Sequence, residues 1–139
     1  MSVLVQVLLT FLMLSAFLGD VVTPWIHTLE TNMLKESMRL LDDLQQKEVS
    51  CNRMNVTNIF ADDKRGNNTD IFCKAATIAR EGQSCHRNFK GIYLNLLGLV
   101  RSREGYKKQC PVAAGSTTSL KNFLKELHQV LQEDYKNQK

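Results

Sequence analysis

Apolar positions along this chain recur in steps of three and four over four stretches, separated by polar connections of unequal length. Over residues 26–46 they fall at Ile26, Leu29, Met33, Leu34, Met38, Leu41 and Leu44, the period of a helix with one buried face. Thr23-Pro24 is its start signal, with Thr before Pro at the first helical position. A second helix is expected over residues 71–81, N-capped by Asp70 and buried through Phe72, Ala75, Ala76 and Ala79, small residues that let a neighbouring helix approach closely. A third is expected over residues 85–103, with Ser84 as its cap. Its stripe is wide: Phe89, Ile92, Tyr93, Leu96, Leu97, Leu99 and Val100. Arg101 and Arg103 near its end suit the helix dipole. A fourth helix, over residues 118–135, turns Leu120, Phe123, Leu124, Leu127, Val130 and Leu131 inward.

The connections constrain how these helices assemble. The link around Gly82-Gln83-Ser84 is short, so the second and third helices are antiparallel. The links over residues 47–69 and 104–117 are long enough to carry the chain the length of a helix and start the next in the same direction. Loops beyond about 12–15 residues are uncommon without such a reason. The expected fold is therefore all-α, a four-helix up-up-down-down bundle with two long crossover loops, rather than an up-down bundle with slack connections. Residues 54–60, with Val56 and Ile59, form a candidate short strand, and Cys110-Pro111-Val112 is its candidate partner, so the crossovers can pair as a short β ribbon. Residues 62–70, with Gly66 and Asn67-Asn68, read as a surface turn.

Composition adds a compartment. Residues 1–19 carry no charge, and the apolar run over 3–18 is broken only by Gln6, Thr10 and Ser15. A run of about 16 falls short of the roughly 20 needed to span a bilayer and fits a signal peptide. Ser15, Ala16 and Gly19 are small and precede the first charge, Asp20, so cleavage is expected near Gly19, leaving a helical domain over 20–139. The usual basic residues before the apolar run are missing, and an uncleaved anchor is the alternative. About 120 residues suit one domain with one core. The net charge of +4 lies wholly in that part and is too mild to argue nucleic-acid binding. The expected product is a secreted, soluble monomer without membrane insertion.

Four cysteines, Cys51, Cys73, Cys85 and Cys110, behind a secretion signal read as two disulfides. Three pairings are available. On one continuous helix Cys73 and Cys85 would lie about 18 Å apart, beyond the roughly 7 Å a bridge allows, but Gly82 can break that helix and the pairing stays open. A bridge closing a loop of about 35 residues adds roughly 3–4 kcal/mol on the chain-entropy model. No short-spaced Cys or His pairs suggest zinc, and neither metal nor cofactor is implied. Asn55-Val56-Thr57 and Asn67-Asn68-Thr69 are N-glycosylation sequons. His27, His86 and His128 are widely separated, and no nucleophile–base order or phosphate loop stands out, so binding rather than catalysis is expected. A helical carrier of an apolar ligand is a third class, which bulky stripes on the helices disfavour.

Several blocks agree in residue and spacing with one family: Cys51, Val56-Thr57-x-Ile59-Phe60-Ala61, Phe72-Cys73-x-Ala75-Ala76-Thr77, Asn95-Leu96-x-Gly98-Leu99, Cys110-Pro111-Val112, Asn122-Phe123-Leu124 and Tyr135. The chain resembles the interleukin-4/interleukin-13 family of short-chain helical cytokines, its interleukin-4 branch more than the other. The resemblance implies a cytokine bundle with Cys51 paired to Cys85 and Cys73 to Cys110. Members commonly carry a third bridge whose positions match Glu30 and Gln138, which implies looser bundle ends here. It further implies a ligand that bridges the interleukin-4 receptor alpha chain to the common gamma chain or an interleukin-13 receptor chain, activating Janus kinases in lymphocytes. A dual-specificity or interleukin-13-like ligand is the alternative. Glu36 matches the family's acidic alpha-chain anchor, with Arg39 and Asn95 beside it. Leu94 stands where the family has an arginine, so Lys90 and Arg87 are the candidate cations. Met38, Asp42, Gln132 and Tyr135 match the second-chain positions.

Overall fold

The computed structural model describes residues 19–47, 51–60, 66–106 and 109–138. Residues 1–18 of the expected signal peptide (1–19), Ala61 and the first part of the expected surface turn, residues 62–65, lie outside them. Four α-helices and a two-stranded ribbon follow in order: α1 Gly19–Gln46, β1 Asn55–Thr57, α2 Asn68–Glu81, α3 Asn88–Glu104, β2 Thr117–Ser119 and α4 Leu120–Asn137. No helix among the described residues is long and apolar enough to cross a membrane.

Side-chain contacts fix the directions. In the first half of α1, Glu30 meets Ser102 and Arg103 at the end of α3. Near its end, Asn88 at the start of α3 bonds the Leu40 carbonyl and Asp43, and Gln45 bonds the Leu124 carbonyl at the start of α4. The start of α2, Asn68 and Thr69, lies by Asp134 and Arg103 at the ends of α4 and α3. So α1 and α2 run one way and α3 and α4 the other, the up-up-down-down bundle of helical cytokines. Phe72, Phe89, Phe123, Leu34, Leu41, Ile92, Leu96 and Leu124 fill the space between the helices. Cys51 is joined to Cys85 (Cα–Cα 5.9 Å) and Cys73 to Cys110 (5.3 Å), pinning each crossover to a helix end or flank.

Several boundaries depart from the sequence expectation. Helix α1 contains Pro24 in its second turn instead of beginning there; at that place the proline, which has no N–H, leaves the helix one i→i−4 hydrogen bond short. Ile26 and Leu29 are exposed rather than buried, and Leu40 and Ser37 take their share of the core. The cap of α2 is Asn67, whose Oδ1 accepts from the Asp70 N–H at 2.9 Å, while Asp70 occupies the first turn. Helix α3 begins at Asn88 after a 3-10 turn over Gly82–Ser84. There His86 Nδ1, not Ser84, accepts from the Asn88 N–H at 3.1 Å. The ribbon partner of β1 is Thr117–Ser119, with Val56 opposite Thr118, and not the segment at Cys110. That segment is held on α2 by its bridge to Cys73 and by the Thr77 hydroxyl on the Cys110 carbonyl, while the β-branched threonines just before α4 take the strand.

The bundle end where a third bridge would stand carries a polar network. Arg103 donates to Asp134 from Nη2 at 2.7 Å and Nη1 at 3.1 Å, to Thr69 Oγ1 at 3.2 Å and to Glu30 Oε2 at 3.4 Å. Gln138 Nε2 donates to Asp134 at 3.4 Å. One mostly buried guanidinium thus joins all four helices, and its network includes Glu30 and Gln138, the two positions where a third bridge would stand.

Candidate functional site

Two faces of the bundle carry the candidate residues. The first flanks the seam between α1 and α3. Gly91 and Gly98 let the helices close up: a Cβ on Gly91 would lie 2.8 Å from Leu40 Cδ1, and one on Gly98 would lie 2.6 Å from Met33 Sδ. Glu36 falls between Met33 and Leu40 along α1, and Leu94 falls between Gly91 and Gly98 along α3. The antiparallel register therefore sets Glu36 level with Leu94 and Asn95. The inner flanks of both helices, Leu34 and Leu41 on one and Ile92, Leu96 and Leu99 on the other, are buried, so Glu36 and Leu94 share the solvent side. Arg39 donates from Nη2 at 2.6 Å and Nε at 3.0 Å to the two Glu36 oxygens. That hydrogen bond holds the Glu36 carboxyl below its usual range. Arg87, Leu94 and Arg101 lie seven residues apart and so along one line of α3; Arg87, Lys90 and Arg101 are exposed. Leu94 is 52% exposed.

The second face flanks the seam between α1 and α4. Lys35 Nζ stands 5.7 Å over the Tyr135 ring. His128 Nε2 lies 2.9 Å from Asp42 Oδ1, close enough for an ion pair when the imidazole is protonated but not aligned as a hydrogen bond. Both contacts, with that of Gln45 on the Leu124 carbonyl, share one antiparallel register, which sets Met38 level with Gln132. Met38, Asp42, Gln132 and Tyr135 thus lie within a band about 10 Å long at the helical rise. Gln132 and Asp42 are exposed, and Met38 and Tyr135 are half-buried against the core.

The sequence profile of the family described as Interleukin 4 matches residues 29–136, over three-quarters of the chain. The chain belongs to the interleukin-4 family. Among its relatives, interleukin-4 of Canis lupus familiaris is 30% identical over 105 residues, covering 73% of this chain and 75% of the relative. Interleukin-4 of Felis catus is 30% identical over 108 residues (75% and 77%), and that of Mus musculus 26% over 118 (79% and 84%). Its membership makes this chain a cytokine of the interleukin-4 family, with that family's helical bundle.

Against this interleukin-4 frame, the structure gathers Glu36, Arg39, Arg87, Lys90, Leu94 and Asn95 at one seam. It gathers Met38, Asp42, Gln132 and Tyr135 at the other. Sequence reasoning missed Lys35 and His128, which contact Tyr135 and Asp42 on the second face. Their signal was present: Lys35 and Asp42 are seven apart, as are His128 and Tyr135, so each pair repeats on one line of its helix. It also missed Arg103, Asp134 and Thr69, whose partners are 31 to 73 positions away. Asn67 and Asn55 are both exposed, Asn67 as the cap of α2 and Asn55 in β1.

Proposed function

We propose that this chain is a secreted cytokine that bridges two receptor chains and acts by proximity, without making or breaking a bond. The α1/α3 face, with Glu36, Arg39, Arg87, Lys90, Leu94 and Asn95, binds the interleukin-4 receptor alpha chain. The α1/α4 face, with Met38, Asp42, Gln132 and Tyr135, binds the common gamma chain or an interleukin-13 receptor alpha chain. Holding the two together brings their Janus kinases into contact and drives B-cell activation and type 2 helper T-cell responses. The observation that carries this reading is the separation of the two residue sets onto different seams of one rigid bundle, both using α1. Two partners can then dock at once without sharing surface.

Residues 1–19 act as the cleaved signal peptide, leaving a domain over 20–139, and the oxidising compartment it leads to suits the two bridges. Asn67 is a glycan acceptor: its Oδ1 caps α2 while its exposed amide nitrogen can carry sugar. Asn55 is the second acceptor. Co-precipitation of the secreted chain with the alpha-chain, gamma-chain and interleukin-13 receptor ectodomains tests the reading. Capture by the alpha chain alone, then by a second chain in its presence, is expected. Capture by none of them contradicts it.

A further inference from the structure

The α1/α3 face has an unusual balance of charge and apolar surface. Its acid, Glu36, is already held by Arg39 on the same helix, so this pair presents no net charge to a partner. Asp43, the next acid along the same side, is engaged by Lys47 and Asn88. Arg87, Lys90 and Arg101 are exposed, and among the described residues none of them forms an ion pair with a carboxylate; Arg101 lies over the Tyr106 ring at 5.1 Å. The uncancelled charge of the face is therefore basic and lies along α3. Between Arg87 and Arg101, on the same line, stands Leu94.

Single exposed leucines are ordinary. This one has neighbours. Met33 is wedged over Gly98, one turn along the seam from Leu94, and Leu29, 48% exposed, follows one turn further on α1. At 1.5 Å per residue the three form a diagonal apolar strip about 12 Å long. An apolar centre within a polar rim is the anatomy of a specific interface, and the desolvated centre carries most of its energy.

We infer that the α1/α3 face docks its receptor chain through the Leu94–Met33–Leu29 strip, inside a basic rim of Arg87, Lys90 and Arg101. The partner surface accordingly has an apolar centre ringed by carboxylates, and it supplies no cation to Glu36. This rests on the assignment of that face to the receptor alpha chain. It reverses the polarity that an acidic anchor on the ligand would require.

Surface plasmon resonance on the alpha-chain ectodomain tests it, using the disulfide-intact secreted chain. Leu94→Asp is expected to weaken binding by about thirtyfold or more, as for a central contact. Glu36→Gln is expected to cost less affinity than either Leu94 variant, because its charge is already met by Arg39 on the same helix. Raising salt from low to high should slow association and leave dissociation nearly unchanged, because rim charges act on encounter. Leu94 is an outward position, and an unchanged melting temperature checks that the variant folds. Leu94→Ser is the second variant, expected to move affinity in the same direction. Near-wild-type binding of both Leu94 variants, with Glu36→Gln losing more, overturns the inference while leaving the receptor reading intact. No binding by the unaltered chain overturns both. A dimer in sedimentation that Leu94→Asp abolishes assigns the strip to a second copy and overturns the inference alone.

Discussion

Arg103 shows how much one side chain can hold. Its guanidinium is mostly buried and contacts Asp134, Glu30 and Thr69 on three other helices. Burial alone would lower its pKa, but the hydrogen bond and charge of Asp134, with Glu30 adding to them, raise it instead. Arg103→Ala would leave two carboxylates facing each other with no cation between them. The expected cost is about 3 kcal/mol, the range for removing one partner of a buried pair, read as a fall in unfolding free energy in urea. Gly82 makes a different case. A Cβ there would meet the Phe89 ring at 2.8–3.1 Å, and Phe89 is fully buried. Gly82→Ala should cost about 1–3 kcal/mol through overpacking. Gly115→Ala, with nothing within 4 Å of the added carbon, should leave stability within about 0.5 kcal/mol.

Among the elements, the four helices were legible because each buries one continuous stripe and the stripe repeats locally. Leu120, Phe123, Leu124, Leu127, Val130 and Leu131 all face inward along α4 as their spacing requires. The ribbon partner was not legible, since Cys110 could reach β1 only if its bridge left it free, and the bridge to Cys73 does not. Nor did cysteine spacing choose among the three pairings; the family resemblance did. The polar tie among α1, α2, α3 and α4 was illegible because no local pattern marks residues that meet only across the whole fold. That tie gives the helix ends a pH dependence. Burial pushes the Asp134 carboxyl up, but hydrogen bonds from Arg103, Asn68 and Gln138 outweigh it and hold its pKa below the ordinary value. A carboxyl depressed in the folded state stabilises the fold fully above its unfolded pKa of about 3.9, and the contribution is lost as pH falls through the folded value. The melting temperature should therefore fall between about pH 5 and the folded value, and Asp134→Asn should flatten that fall. An unchanged slope in this variant would assign the acid sensitivity to other groups. A covalent bridge at Glu30 and Gln138 would show no such dependence.

Taken whole, the molecule is a bundle cross-linked by Cys51–Cys85 and Cys73–Cys110 whose first helix serves both candidate faces. Because Met38 and Glu36 project to different seams of α1, damage on one side need not reach the other. Tyr135→Asp should remove the stacking with Lys35 and place a carboxylate on the α1/α4 face. Alpha-chain affinity is expected to stay at wild type in that variant, while signalling in a reporter cell falls; full activity would reject the assignment of this face. The most direct measurement of the central claim is sequential loading on a sensor surface. The alpha-chain ectodomain is immobilised, the cytokine is bound to saturation, and the second-chain ectodomain is passed over the complex. A further mass increase, retained with the Leu94 side intact and lost with Tyr135→Asp, is the predicted result. Displacement of the cytokine by the second chain, or no added mass with the unaltered protein, would contradict two independent faces on one scaffold.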